Sequence, residues 1–139
     1  MFIEFLVEYW YLFAMLGVIL VLLAIDPSAR GPAGAKAVSA LQLPQVQSRE
    51  SGLVVDIRDR EAYKGGHIAQ SINLPLSELE NSLAKLKKHK NKAIILTCEA
   101  GNRTGKAAAI LRKNEYENIY VLTGGLNAWR KENLPLEKS

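Results

Sequence analysis

The chain has one cysteine, Cys98, and two histidines, His67 and His89, in 139 residues. A single cysteine excludes an intramolecular disulfide framework and a cysteine-rich zinc site. Two histidines leave no set for a multi-histidine metal centre. The first 25 residues contain no Lys or Arg, only the acids Glu4 and Glu8. Without a basic start, and with a long apolar run behind it, a cleaved secretory leader is the poorer reading, although Ala33-Gly34-Ala35 faintly resembles a cleavage site. Internal repeats and low-complexity segments are absent. Basic residues are not interleaved with aromatics in the manner of a nucleic-acid surface, so no nucleic-acid partner is expected.

What is present suits a single globular domain with an accessory segment. Hydrophobic residues make up 48% of the chain and charged residues 23%, enough apolar material to bury a core. From Tyr9 to Ile25 the sequence YWYLFAMLGVILVLLAI carries no charge. With Phe5, Leu6 and Val7 it approaches the roughly 20 apolar residues that cross a bilayer as a helix. Tyr9, Trp10 and Tyr11 cluster at one end, as interfacial aromatics do. A domain of about 100 residues could hardly cover a helix that is apolar all round, so a buried core helix is the poorer reading. Residues 1–25 are therefore expected to form one transmembrane helix, entering the membrane over residues 5–25.

Arg30 and Lys36 follow the span and no basic residue precedes it. That asymmetry predicts a single-pass protein of the bacterial inner membrane whose C-terminal domain faces the cytoplasm. A lone thiol fits that reducing compartment. Residues 26–37 (DPSARGPAGAKA) are rich in Gly, Pro, Ala and Ser and read as a flexible juxtamembrane linker. The domain proper is expected over 38–139.

Within it, a short helix is expected over 40–47, with Ser39 as cap and Pro44 able to shift its start. Short apolar runs at 53–57 and 93–97, and the stretch at 119–122, read as buried strands. Ser77 and Glu80 suggest a capping box for a helix over 77–86 carrying Leu79, Leu83 and Leu86. Helices are expected over 103–113 and 126–131, with a turn at Thr123-Gly124-Gly125 before the last. Strands alternating with helices predict an α/β fold with a mostly parallel sheet.

The chemistry concentrates where a buried strand meets a helix, in Cys98-Glu99-Ala100-Gly101-Asn102-Arg103-Thr104. Ligands bind at the carboxyl ends of parallel strands. A helix N-terminus aims backbone N–H groups and a positive dipole end at such a loop. Both favour a thiolate at Cys98. Gly101 allows a sharp turn, and Arg103 supplies a fixed cation for an anion. A lone cysteine is most often a buried structural residue; here the glycine and arginine that follow favour a nucleophile.

Here the residues resemble a known family, the single-domain rhodaneses. CEAGNRTG resembles that family's Cys-x-x-Gly-x-Arg-Ser/Thr loop. LVVDIRDREAYKGGHIAQSINLP resembles its Val-Asp-x-Arg, Glu-Tyr/Phe, Gly-His-Ile and Asn-Leu/Ile-Pro elements, and LTGGLNAW its Leu-x-Gly-Gly-x-x-x-Trp ending. The resemblance spans about residues 38–136. With its anchor, the chain is similar to bacterial inner-membrane rhodanese-domain proteins. It implies a rhodanese-like three-layer α/β fold with a central, mostly parallel sheet, preceded by one transmembrane α-helix.

The resemblance also implies an activity, sulfur transfer. Cys98 takes sulfane sulfur from a small sulfur-containing anion such as thiosulfate, or from a persulfide donor, and a thiol or cyanide removes it. Backbone N–H groups from Glu99 to Thr104 would cradle the outer sulfur. No metal or organic cofactor is implied. Four residues separate Cys98 from Arg103, whereas the related dual-specificity phosphatases have five, a wider cradle for a phosphoryl group. Glu99 departs from the neutral or basic residue common after the cysteine. It is expected to repel thiosulfate unless it points outward.

Asp56, Arg58 and Glu61 read as an ion-pair and hydrogen-bond network supporting the loop, and His67 as a structural turn residue. Lys64 and Lys106 read as surface residues able to steer anions, and Trp129 as core. The run Lys87, Lys88, Lys90, Lys92 is a solvated face that could touch anionic headgroups. Two functions stand at this point. One is a membrane-tethered sulfurtransferase or persulfide carrier. The other is a rhodanese-fold binding or scaffold module whose helix contacts other membrane proteins.

Overall fold

The computed structural model describes residues 1–24 and 34–138. Two helices open the chain, α1 (Phe2–Glu8) and α2 (Trp10–Ala24), bent by 62° about Tyr9. This corrects the expectation of one unbroken helix. The break falls in the Tyr9-Trp10-Tyr11 cluster, whose rings lose side-chain freedom in a helix, and Tyr9 leaves helical geometry at ψ 18°. No single helix among the described residues is long and apolar enough to cross a membrane; only the bent pair together meets that test. None of its residues is buried. Most of the expected linker, 26–33, lies outside the described residues, as does Ile25.

The domain is a five-stranded sheet in the order β1-β5-β4-β2-β3. Its strands are β1 (Lys36–Val38), β2 (Leu53–Asp56), β3 (Ile72–Asn73), β4 (Ile94–Thr97) and β5 (Ile119–Leu122). Every pairing is parallel; at the centre Val55 faces Leu96, and Leu96 faces Val121. β1 begins at Lys36, so the last two positions of the expected linker belong to the sheet, in register with Tyr120 and Val121.

Both faces of a parallel sheet are covered, so its central strands read as unbroken apolar runs. Ile94-Ile95-Leu96 is buried throughout, and alternate residues serve opposite faces. Ile94 and Leu96 pack with Ala107, Ala108 and Leu111 of α5 (Thr104–Lys113) and with Leu79 and Leu86. Ile95 packs on the other side with Leu43 of α3 (Leu43–Arg49) and with Leu126 and Trp129 of α6 (Gly125–Lys131). Three layers result.

Local corrections have local causes. α3 starts at Leu43 because Pro44 is tolerated only in a first turn; Ser39 turns the chain ahead of it, accepting a hydrogen bond from Gln42 N–H at 3.3 Å. The stretch after Pro75 is two 3-10 segments, Leu76–Glu78 and Glu80–His89, and no side chain caps either, so the Ser77–Glu80 capping box does not form. Leucines three or four apart satisfy both helix types, so their spacing could not separate them. α4 (Arg60–Gly65) and the short strands β1 and β3 carry too few residues for a periodic signal.

Candidate active site

Cys98 is the first residue beyond β4, and its side chain is buried, at 2% exposure. The chain then turns through Glu99–Arg103 and enters α5. Within the turn the Gly101 N–H donates to Cys98 Sγ at 3.0 Å. Gly101 has φ +82°, and a β-carbon there would meet the backbone nitrogen of Gly124 at 3.0 Å. The Thr104 hydroxyl donates to the Gly101 carbonyl at 3.2 Å and holds the turn onto α5. Sulfur therefore accepts from an amide of the loop that leads into a ten-residue helix.

A second element braces the loop. The start of α6 reaches back, with Leu126 N–H donating to the Cys98 carbonyl at 2.9 Å and Asn127 N–H to the Glu99 carbonyl at 3.0 Å. The Gly124-Gly125 pair allows this approach, since both have positive φ. The backbone of Cys98 and Glu99 is thus fixed from both sides.

Beneath the loop lies a buried ion pair. Asp56, the last residue of β2, is fully buried and accepts from Arg58 Nε at 3.0 Å and Nη2 at 2.8 Å. Arg58 Nη2 also donates to the Gly66 carbonyl at 2.6 Å, and Nη1 to Glu99 at 3.1 Å. Burial disfavours the Arg58 charge, but the bonds to Asp56 and Glu99 outweigh it and hold the pKa above its ordinary value. Arg130 of α6 donates to the other oxygen of Glu99. That bond, with help from Arg58 and against some burial, holds the Glu99 carboxyl below the usual range. The charge beside Cys98 is therefore bound by two guanidiniums.

The site residues read from the sequence separate accordingly. Arg58, Cys98, Glu99, Ala100, Asn102 and Arg103 line one cleft of about 380 Å³. Arg103 and Asn102 also border an adjoining space with Lys106. Asp56 orients Arg58 from below. Glu61 stands exposed on α4 and enters no ion pair among the described residues, which removes it from the expected network. His67 lies outside the cleft: its ring stacks on Tyr63 at 3.8 Å, its Nδ1 is 2.8 Å from the Tyr63 carbonyl, and its backbone pairs with Glu137. Trp129 is buried, its Nε1 donating to the Pro135 carbonyl at 3.0 Å. Sequence reasoning missed Arg130. The only signal was indirect: the glycine pair placed α6 against the loop, but nothing paired position 130 with position 99.

Comparison with known proteins agrees with this geometry. The model of the rhodanese-like domain matches residues 38–132. The chain belongs to the rhodanese-like domain family. It is 36% identical over 102 residues to the uncharacterized protein YibN of Escherichia coli K12, covering 73% of this chain and 71% of that protein. It is 32% identical over 93 residues to a tRNA uridine(34) hydroxylase of Buchnera aphidicola, of which it covers 30%. Among solved structures, a rhodanese-related protein of Thermoplasma volcanium superposes with a TM-score of 0.63 at 29% identity, covering 74% of this chain and 98% of that one. A protein of Bacillus halodurans gives 0.64 at 34% identity, covering 73% and 76%.

Proposed function

We propose that the protein is a rhodanese-type sulfurtransferase that carries sulfane sulfur as a persulfide on Cys98 and is held at a membrane by residues 5–25. One observation carries the chemistry: a buried thiol under the Gly101 N–H, opening on a cleft that Arg103 borders. In the first step Cys98 Sγ, as thiolate, attacks the outer sulfur of thiosulfate or of an organic persulfide. A new S–S bond forms and the old one breaks, its electron pair leaving with sulfite or with the donor's thiolate. In the second step an acceptor thiolate attacks the terminal sulfur and departs as a persulfide, returning Cys98 to thiolate; cyanide departs as thiocyanate. This is two-step covalent catalysis. The fixed amide donor of Gly101 stabilises the anionic Sγ that attacks in the first step and is regenerated in the second.

The anchor reading rests on the apolar run and on the exposure of every large apolar residue of α2. The thin excess of Arg30 and Lys36 after it favours a cytoplasmic domain at the bacterial inner membrane. That same exposed face favours a second reading, a tethered binding module with little turnover whose helices meet other membrane proteins.

Intact-mass analysis of the full chain in detergent, after thiosulfate or an organic persulfide, tests the chemistry. The expected result is a gain of one sulfur (about 32 Da) that cyanide removes and Cys98→Ser abolishes. No adduct from either donor would leave the binding module as the function.

A further inference from the structure

All five strands are parallel, so their N-terminal ends share one edge of the domain and Cys98 lies at the other. The N-terminal edge is strongly basic. Lys87, Lys88, Lys90 and Lys92 lie exposed along the end of the 3-10 segment and the turn into β4. Lys36 opens β1 beside them, with Nζ 3.4 Å from Asn118 and 5.1 Å from the centre of the Tyr120 ring. Arg112, near the end of α5, donates to the Gly34 carbonyl at 2.6 Å. A cleft of about 720 Å³ runs between Lys90, Arg112 and Asn118. The acids on this edge are Glu50, Glu115 and Glu117, and Glu115 is already held by Lys90 at 3.6 Å. The cations remain in clear excess.

The chain also enters the domain at this edge. Nine positions separate Ala24 from Gly34. At roughly 3.5 Å per residue they reach no more than about 35 Å. Whatever surface holds the N-terminal helices therefore lies within about 35 Å of Gly34, at the basic edge.

We propose that this edge docks on an anionic lipid surface, that of the bilayer holding the anchor; the proposal rests on reading residues 5–25 as that anchor. A negative leaflet attracts basic segments within a Debye length. Docking by this edge turns the Cys98 cleft away from the bilayer. Six residues of chain from Lys92 to Cys98, at roughly 3.3 Å each, set the nucleophile about 20 Å from the lipid-facing lysines. Donor and acceptor then reach it from solution.

The test uses the full chain in vesicles of phosphatidylcholine alone and of phosphatidylcholine with phosphatidylglycerol. Flotation scores membrane association. Labelling with an uncharged amine-reactive ester, read by peptide mass, scores docking. Lys36, Lys87, Lys88, Lys90 and Lys92 are expected to label about threefold less in the anionic vesicles, with Lys106 unchanged and the protection lost at about 1 M salt. The variant Lys87→Glu/Lys88→Glu/Lys90→Glu is expected to float equally well while losing the protection of Lys36 and Lys92. Flotation with identical labelling in both lipids overturns the docking proposal alone. Failure to float in either overturns the anchor reading and the docking with it.

Discussion

Gly125 lies so close to Cys98 that a β-carbon on it would clash with the Cys98 carbonyl oxygen, well inside van der Waals contact distance. Gly125 also has φ +58°, a conformation L-residues adopt at a cost. Gly125→Ala is therefore expected to destabilise the domain by about 2 kcal/mol or more in urea unfolding. It is also expected to slow persulfide formation in the molecules that fold, because the loop must shift to admit the methyl group. A variant with full stability and an unchanged adduct rate would refute this coupling of α6 to the nucleophile.

Asp56→Ala strands the Arg58 guanidinium in the interior. Breaking a buried pair from one side costs about 3–5 kcal/mol, whereas replacing both members with apolar residues costs far less. The double variant Asp56→Leu/Arg58→Met is thus expected to be more stable than Asp56→Ala alone, measured by urea midpoint. The double variant should still lose donor turnover, because Glu99 then lacks its inner partner.

Glu99→Gln removes one negative charge from the mouth of the cleft and releases Arg58 and Arg130. Thiosulfate, a dianion, should react roughly tenfold faster with Cys98, and a neutral organic persulfide at about the unchanged rate. Rates of mass gain on the intact chain measure both. Equal acceleration of the two donors would show that the charge does not select between them.

The same carboxyl sets an acid dependence. Its folded pKa is depressed, so it binds protons less readily when folded than when unfolded. The stability it contributes is complete above its ordinary value of 4.5 and is lost as pH falls through the depressed folded value. The urea midpoint of wild type should therefore exceed that of Glu99→Gln at neutral pH, with the gap narrowing as pH falls below 4.5.

A fragment beginning at Ser39 lacks β1. It gives up buried Ala35 and Val38 and the bond from Thr123 N–H to the Val38 carbonyl at 2.8 Å. One beginning at Gly34 keeps them. The shorter fragment is expected to be less stable by about 2–4 kcal/mol in chemical denaturation.

The features legible in the sequence were those written in contiguous residues. The runs at 53–57 and 93–97 gave β2 and β4 to within a residue, and the Cys98 loop announced itself by its glycine and arginine. β1 was hidden because Lys36-Ala37-Val38 follows a Gly- and Pro-rich stretch and is too short to alternate. The Arg58–Glu99–Arg130 arrangement was hidden for another reason. Its members lie 41 and 31 residues apart, and only the packing of α6 on the loop brings them together. Glu99 read alone looked repulsive to an anion; its two partners change what that charge does.

The sheet ends on β1, three residues long, and β3, two residues long. Unpaired backbone at a sheet margin is the usual template for strand addition by a neighbouring copy, and nature blunts it with brevity and lysine. Both devices are present, with Lys36 on one margin. Copies crowded together on a small patch of surface would find little ladder to extend, so local density need not lead to amyloid-like stacking.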